Sequence, residues 1–233
     1  IVIDVPQMKM TVDNFSLMKK SVLFVTGLLA FNVLSAQKLE IIKLKEPNMN
    51  RGSSAMNALE NRRSTDEYSD RMLNIDDLSD LLWAANGINR PESGKRTAAS
   101  AMNRQDVSVY TFTTEGVHLY DAAKHELLPV ISGDHRKLFG ERGMSPLIIL
   151  LVTDISKFGD VGTNEDRREW GAIDLGLVSQ NMAIFCAANG IGTRPRAGMD
   201  REGIASLLKL SDTQLPMLNH SVGYPKLSID VDE

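Results

Sequence analysis

An unbroken apolar run from Leu147 to Val152, within "PLIILLVT", constrains the fold more than any other segment of this 233-residue chain. A strand that has one face in water alternates apolar and polar residues, and these six residues do not alternate. Such a run indicates a strand that is covered on both faces. We therefore expect it in the middle of a sheet that has helices above and below.

Four further segments have the composition of strands. "VSVYTFTT" and "VHLYD" flank Glu115 and Gly116 and predict a hairpin. "LPMLNHSVGYP" predicts a last strand that Pro225 ends, and "LEIIKLKEP" predicts a short strand or an extended arm. "INRPESGKRTAASAMNRQD", between the second helix and the hairpin, has the composition of a long loop.

Four helices are predicted around these strands. The first spans about residues 53–63, and the second is capped by Asn74 and stopped by Gly87. The longest spans about residues 166–189, and its centre, "GAIDLGLVSQNMAIFCAA", is apolar nearly all round, as in a core or interface helix. Acidic residues near its start suit the positive end of a helix dipole. A shorter helix follows from near Asp200 to near Leu210.

The amino-terminal part has the features of a secretory signal. "MKKSVLFVTGLLAFNVLSAQ", residues 18–37, has two lysines, an apolar stretch and then small residues. We expect Met18 to be the start, cleavage after Ala36, and a single domain over residues 37–233 that is periplasmic or secreted. A permanent anchor is the competing interpretation, and the protein would be cytoplasmic if the segment is not used.

Composition excludes several functions. A net charge of −4 and the lack of long basic runs give no footprint for nucleic acid. The four histidines lie in different predicted elements, so a metal site is not supported. Cys186, the single cysteine, lies in the apolar run "MAIFCAA" and is expected to be a buried thiol. No nucleophile elbow, phosphate-binding Gly-Lys-Ser loop or Gly-x-Gly-x-x-Gly unit is present.

Three distant segments suit a flat, phosphorylated ligand. "ENRRST", residues 60–65, sets two arginines beside hydroxyl groups, and guanidinium and hydroxyl donors together fit a phosphate. "RTAASAMNRQ" offers polar side chains for a ring or chain, and "GIGTRPRAGMD" allows close backbone approach. Taken alone, the arginine pair is more typical of the solvent-exposed end of a surface helix.

Together these segments resemble the FMN-dependent nitroreductase superfamily. The likeness runs from about Leu59 to Pro225 and includes Arg62-Arg63-Ser64, "LLWAANGINR", the loop of residues 100–105, the Gln180-Asn181 region, "NGIGT" and "VGYP". It implies an α+β fold with a central mixed or antiparallel sheet flanked by helices, and a homodimer with two FMN sites at its interface. The long apolar helix is the expected dimer seam.

The resemblance also implies roles for particular residues. Those that would hold the FMN phosphate are Arg62 and Ser64, with a contact from Arg63 and with Lys226, the only cation after "VGYP". Those near the ribityl chain and ring, presented by the partner subunit, are Ser100, Asn103 and Gln105. Backbone N–H groups of Ala197 and Gly198 would lie near flavin N5. Asp66 departs from the family, in which a basic residue is common at that position.

The implied activity is oxidoreduction without an obligate catalytic side chain. FMN would pass hydride from a reduced donor, NAD(P)H, to a nitro, quinone or similar small acceptor. Because the chain has no separate dinucleotide-binding motif, both substrates would use one site in turn, which is a ping-pong mechanism. The alternative is an exported flavin-binding protein, or a specialised flavin enzyme that does not use NAD(P)H.

Overall fold

A computed structural model describes residues 38–141 and 144–226. The expectations for Met18, the signal segment and its cleavage fall outside these residues. The described part contains an antiparallel seven-stranded sheet in the order β1-β6-β5-β4-β7-β9-β8, a separate β2-β3 hairpin and four α-helices. The strands are β1 Ile42–Lys43, β2 Ile88–Arg90, β3 Lys95–Arg96, β4 Val107–Phe112, β5 Gly116–Asp121, β6 Glu126–Ser132, β7 Leu147–Asp154, β8 Gly192–Arg196 and β9 Gln214–Gly223. The helices are α1 Ala55–Asn61, α2 Ile75–Asn86, α3 Asn164–Ala188 and α4 Arg201–Leu208.

Strand β7 confirms the prediction of a doubly covered central strand. It pairs with β4 on one side and with β9 on the other, and its residues from Leu147 to Thr153 are buried. Because side chains alternate along a strand, Ile149 and Leu151 join one hydrophobic cluster, and Ile148 and Leu150 join another. The first cluster includes α2 and α3, and the second includes Ile204 of α4. The predicted α+β fold with helices on both faces is therefore confirmed.

Helix α3 begins with a reciprocal cap. The Thr163 hydroxyl accepts a hydrogen bond from the Asp166 backbone N–H, and the Asp166 carboxylate accepts one from the Thr163 N–H. One face of α3 packs on the sheet through Leu175, Val178 and Met182. By length and composition this helix is also apolar enough to cross a membrane, a property that buried core helices share.

The opposite face of α3 presents an exposed stripe made of Ala172, Ile173, Gly176, Leu177 and Gln180. Ile173 and Leu177 are 55% and 41% exposed, which is unusual for large apolar side chains on a long helix. This stripe is where the sequence predicts a dimer seam.

The structure adds three features to what the sequence predicted. Strand β6 was not predicted, because Pro129 interrupts its sequence; its pairing with β5 shifts register at Val130, next to that proline. The long loop after α2 contains the short β2-β3 hairpin and a 3₁₀ turn at Ala101–Asn103. Strand β8 was not predicted either: the glycine-rich segment after α3 forms this edge strand through its pairing with β9.

Candidate functional site

The "ENRRST" segment leaves helix α1 and runs along strand β8. Arg62 has extended backbone angles that end α1, and the Thr65 N–H donates to the Thr193 carbonyl at 3.0 Å. A Cβ added at Gly192 would lie 2.8 Å from Thr65 Cγ2, so this close approach requires glycine. The glycine of "NGIGT" thus allows the arginine segment to lie against the sheet edge.

A cavity of about 230 Å³ lies where this segment meets the end of α3 and the start of β8. Of the residues that the structure describes, Arg63 is the one charged residue in its lining. The remaining lining residues are Asn61, Thr65, Ala183, Cys186, Ala187, Gly190, Ile191, Thr193 and Pro225. A single guanidinium among hydroxyl, amide and apolar groups favours an anion.

The carboxyl end of the described chain returns to the same place. Tyr68 and Pro225 form a β-bridge, and the Lys226 N–H donates to the Glu67 carbonyl at 3.1 Å. Lys226 therefore lies beside the chain that follows Ser64, and its neighbour Pro225 lines the same cavity as Arg63. Arg62 and Ser64 are exposed on either side of Arg63.

The negative charge of Asp66, which lies close to Arg62 and Arg63 in sequence, has a cationic partner of its own. Its carboxylate forms an ion pair with Arg194 of strand β8. The Asp66 side chain is 68% exposed, so the pair adds little stability, but it directs the negative charge toward the strand. The aspartate at position 66, where a basic residue is expected, is therefore paired with Arg194.

A histidine network holds the wall of the cavity. His220 is buried, and its Nε2 and Nδ1 lie 2.8 and 3.0 Å from the hydroxyls of Ser179 and Thr193. Burial lowers the pKa of His220 to about 3, so the imidazole is neutral. Ser179 and His220 therefore tie α3 to β9 and to Thr193 of the cavity. Cys186 is fully buried and burial raises its pKa, which confirms the predicted apolar role of its thiol.

The loop of residues 100–105 lies elsewhere, against the middle of α3. The Ala101 N–H donates to both carboxylate oxygens of Asp174, at 3.0 and 2.8 Å. The Ser100 hydroxyl accepts from the Gln105 N–H at 2.9 Å. Asn103 and Gln105 have positive φ values of 54° and 49°. Left-handed backbone at residues other than glycine is costly and concentrates at functional sites.

Asp174 belongs to a buried carboxyl pair that the sequence reasoning missed. Asp174 and Asp106 are 1% and 0% exposed, and the Thr153 hydroxyl donates to Asp106 Oδ2 at 2.5 Å. Burial, followed by the hydrogen bond with Asp106, raises the pKa of Asp174 to about 7. The pair therefore holds one shared proton under the loop. An aspartate inside the apolar run "GAIDLG" was the available signal.

Ala197 and Gly198 follow strand β8 and are exposed. Their carbonyls accept hydrogen bonds from Arg201 and Asn219, which fixes the direction of this backbone. A Cβ added at Gly198 would meet nothing within 4 Å, so a flat ring could approach the main chain here.

Comparison with known proteins shows which family this chain belongs to. The model of the nitroreductase family matches residues 59–224. The chain belongs to the nitroreductase family. Its members are oxidoreductases, and this is therefore the general activity of the protein.

Individual relatives of this nitroreductase-family protein agree. A Methanocaldococcus jannaschii protein named as a nitroreductase is 25% identical in an alignment of 179 residues that covers 70% of this chain and 86% of that protein. A Ralstonia eutropha structure, also named as a nitroreductase, has 29% identity and a TM-score of 0.77, and covers 82% of this chain and 92% of its own. A Staphylococcus epidermidis structure named as an NAD(P)H:FMN oxidoreductase has 15% identity and a TM-score of 0.57, covers 78% and 92%, and shows a shared fold.

Within one copy of this nitroreductase-family protein, the predicted site residues form separate groups. Asp174, beneath the loop, and Cys186, at the cavity, are twelve residues apart on α3, or about 18 Å at the rise of a helix. The structure thus places Arg62, Arg63 and Ser64 on one segment, with Lys226 beside the continuation of that segment at Glu67, and keeps the loop of residues 100–105 away from them. Ala197 and Gly198 lie beyond the far end of β8.

Proposed function

We propose that this nitroreductase-family protein is an FMN-dependent oxidoreductase that takes hydride from NAD(P)H and reduces nitro, quinone or similar small compounds. The observation that carries the proposal is the cavity beside the arginine segment: among the described residues Arg63 is its one charged lining residue, and Pro225, next to Lys226, lines it too. The residues present fit FMN: cations and a serine suit its phosphate, and the open backbone at Gly198 suits its ring.

Each group of residues would have a distinct task. Arg62, Arg63, Ser64 and Lys226 would bind the phosphate, and the Ala197 and Gly198 N–H groups would face flavin N5. FMN supplies hydride transfer when it is bound. The protein's own part is to bind the cofactor, orient it and stabilise negative charge with backbone donors rather than with a titrating side chain.

We propose that the active form is a homodimer built on the exposed stripe of α3. Asp174 and Cys186 lie six residues on either side of Gln180. If two copies pack with their α3 helices antiparallel about a two-fold axis near Gln180, the loop of one copy reaches the level of the other's cavity. Ser100, Asn103 and Gln105 would then complete the partner's flavin site.

The absorption spectrum of the purified protein tests this function. We expect a yellow protein whose flavin bands bleach when NADH or NADPH is added without air. Steady-state rates at several fixed acceptor concentrations should give parallel double-reciprocal lines, because both substrates use one site. Converging lines would contradict the ping-pong mechanism, and a colourless protein that does not bind added FMN would contradict the proposal.

The signal-like segment of residues 18–37 favours a second candidate. We propose that the mature protein begins near Gln37 and is exported from the cytoplasm. Nicotinamide donors are scarce outside the cytoplasm. A yellow protein that neither NADH nor NADPH bleaches would then indicate a flavin enzyme with another donor. Mass spectrometry of the native protein tests export, and an intact Met18 start in a cytoplasmic fraction would contradict it.

A further inference from the structure

A second cavity, of about 210 Å³, lies on the α2 side of the sheet and shares no lining residue with the cavity at Arg63. Most of its wall is apolar and comes from β1, the segment just before α2, α2, β6 and β7. These wall residues are Ile42, Met72, Leu78, Leu127 and Leu147. An engineered apolar cavity of about 150 Å³ is enough for benzene, so this one has room for a six-membered ring with a substituent.

Two buried polar side chains give the cavity one polar end, and its other polar lining residues, Thr113, Thr114 and Glu115, are partly or fully exposed. Thr111 of β4 and His118 of β5 are directly opposite in the antiparallel register, so both side chains point to the same face of the sheet. They are 1% and 2% exposed, and both line the cavity. The Thr111 hydroxyl has no hydrogen-bond partner among the described residues. A buried hydroxyl without a partner is rare in folded proteins, because its desolvation is not compensated.

The state of His118 adds an acceptor beside this hydroxyl. His118 Nε2 lies 3.1 Å from the Glu40 carbonyl, so Nε2 carries a hydrogen and donates it, and Nδ1 keeps a lone pair. Burial lowers the pKa of His118, which keeps the ring neutral. No lysine or arginine among the described residues lines the cavity, and Glu115 at its mouth is exposed. The negative charge of Glu115, with no described cation in the lining to offset it, disfavours an anionic ligand.

We propose that this cavity binds a small neutral aromatic compound that carries a hydroxyl group, with Thr111 as its hydrogen-bonding partner. The apolar walls hold the ring by burying its surface. The ligand hydroxyl accepts a hydrogen bond from Thr111 and has the His118 ring as a second neighbour. This site is independent of flavin binding.

Three probes of similar size test the chemistry on the protein as purified: phenol, toluene and benzoate. Toluene replaces the hydroxyl of phenol by a methyl group, and benzoate adds a negative charge. Binding is followed by titration in two-dimensional NMR spectra or by calorimetry, since ligands of this size bind in the millimolar range. We expect phenol to bind roughly fivefold more tightly than toluene, the effect of one neutral hydrogen bond, and benzoate to bind most weakly.

Variants at Thr111 give the decisive comparison. Thr111→Val keeps the shape and removes the hydroxyl, so it should abolish the preference for phenol over toluene, whereas Thr111→Ser should retain that preference. Thr114→Val, the same change at an exposed residue of the mouth, is the matched control and should bind like the wild type. A crystal structure with only water in the cavity at saturating phenol would overturn the proposal, as would equal binding of the three probes or an unchanged preference in Thr111→Val.

Discussion

Replacing Asp174 by asparagine should remove a pH dependence from the stability of the fold. The amide oxygen can still accept the Ala101 N–H, and the amide nitrogen can donate to the Asp106 carboxylate. Asp106 Oδ1 is buried and has no hydrogen-bond partner among the described residues, so it would gain a donor that does not depend on pH. The variant therefore reproduces the protonated form of the pair at every pH.

The size of the effect follows from the pKa of Asp174. Burial and Asp106 raise that pKa from 3.8 to about 7. Between these values the unfolded chain releases the proton and the folded protein keeps it, so the free energy of unfolding falls as pH rises. The contribution is fully present below the unfolded pKa and is lost as pH passes the folded pKa. At about 1.4 kcal/mol per pH unit, the wild type should lose roughly 2 to 3 kcal/mol between about pH 5 and pH 8 through this group.

Urea denaturation at both pH values measures this difference. Asp174→Asn should lack the loss that the wild type shows, and it should therefore be the more stable protein at the higher pH. Asp160→Asn removes a carboxylate at an exposed position and is the matched control, which should keep the wild-type pH dependence. If the wild type and Asp174→Asn lose the same free energy between the two pH values, the buried pair does not hold a shared proton.

Two further changes test the packing of the chain. Arg51→Ala should lower the free energy of unfolding by about 3 to 5 kcal/mol, because Asp77 and Asp80 are buried and would lose their cation; a loss under about 1 kcal/mol in urea denaturation would show that water replaces it. Leu177→Glu should convert the dimer to a monomer in analytical ultracentrifugation, whereas the same change at Val130, which is also 41% exposed, should not. A monomeric wild type, or a dimer that survives Leu177→Glu, would contradict the proposed seam.

The elements that the sequence predicted well carry their signal locally. The run of β7 lacks alternation, Asn74 accepts the Asp77 N–H as predicted for a cap of α2, and the apolar centre of α3 matches a helix with a buried face. In each case the residues that determine the element lie within it. Local pattern was therefore enough for the central strand, the helices and the two faces of the sheet.

The missed features depend on residues that are far apart in sequence. Strand β8 contains "GTRPR", whose glycine and proline disfavour a strand, and it forms because β9 supplies its hydrogen bonds. Asp106 and Asp174 meet only after β4 and α3 pack together, and Asp66 finds Arg194 only at the sheet edge. The candidate site was predicted as separate segments. That the arginine segment lies apart from the loop of residues 100–105 became known only from the structure.

The affinity of the protein for FMN in Arg62→Ala tests the central claim most directly. After flavin is removed, FMN is titrated into wild type, Arg62→Ala, Ser64→Ala and Arg168→Ala, and quenching of flavin fluorescence gives each dissociation constant. Arg168 is an exposed arginine at the start of α3 and is the matched control. We expect Arg62→Ala to raise the dissociation constant about tenfold or more, Ser64→Ala to raise it less, and Arg168→Ala to leave it unchanged. Equal dissociation constants in all four proteins, with unchanged thermal unfolding, would show that the "ENRRST" segment does not hold the phosphate.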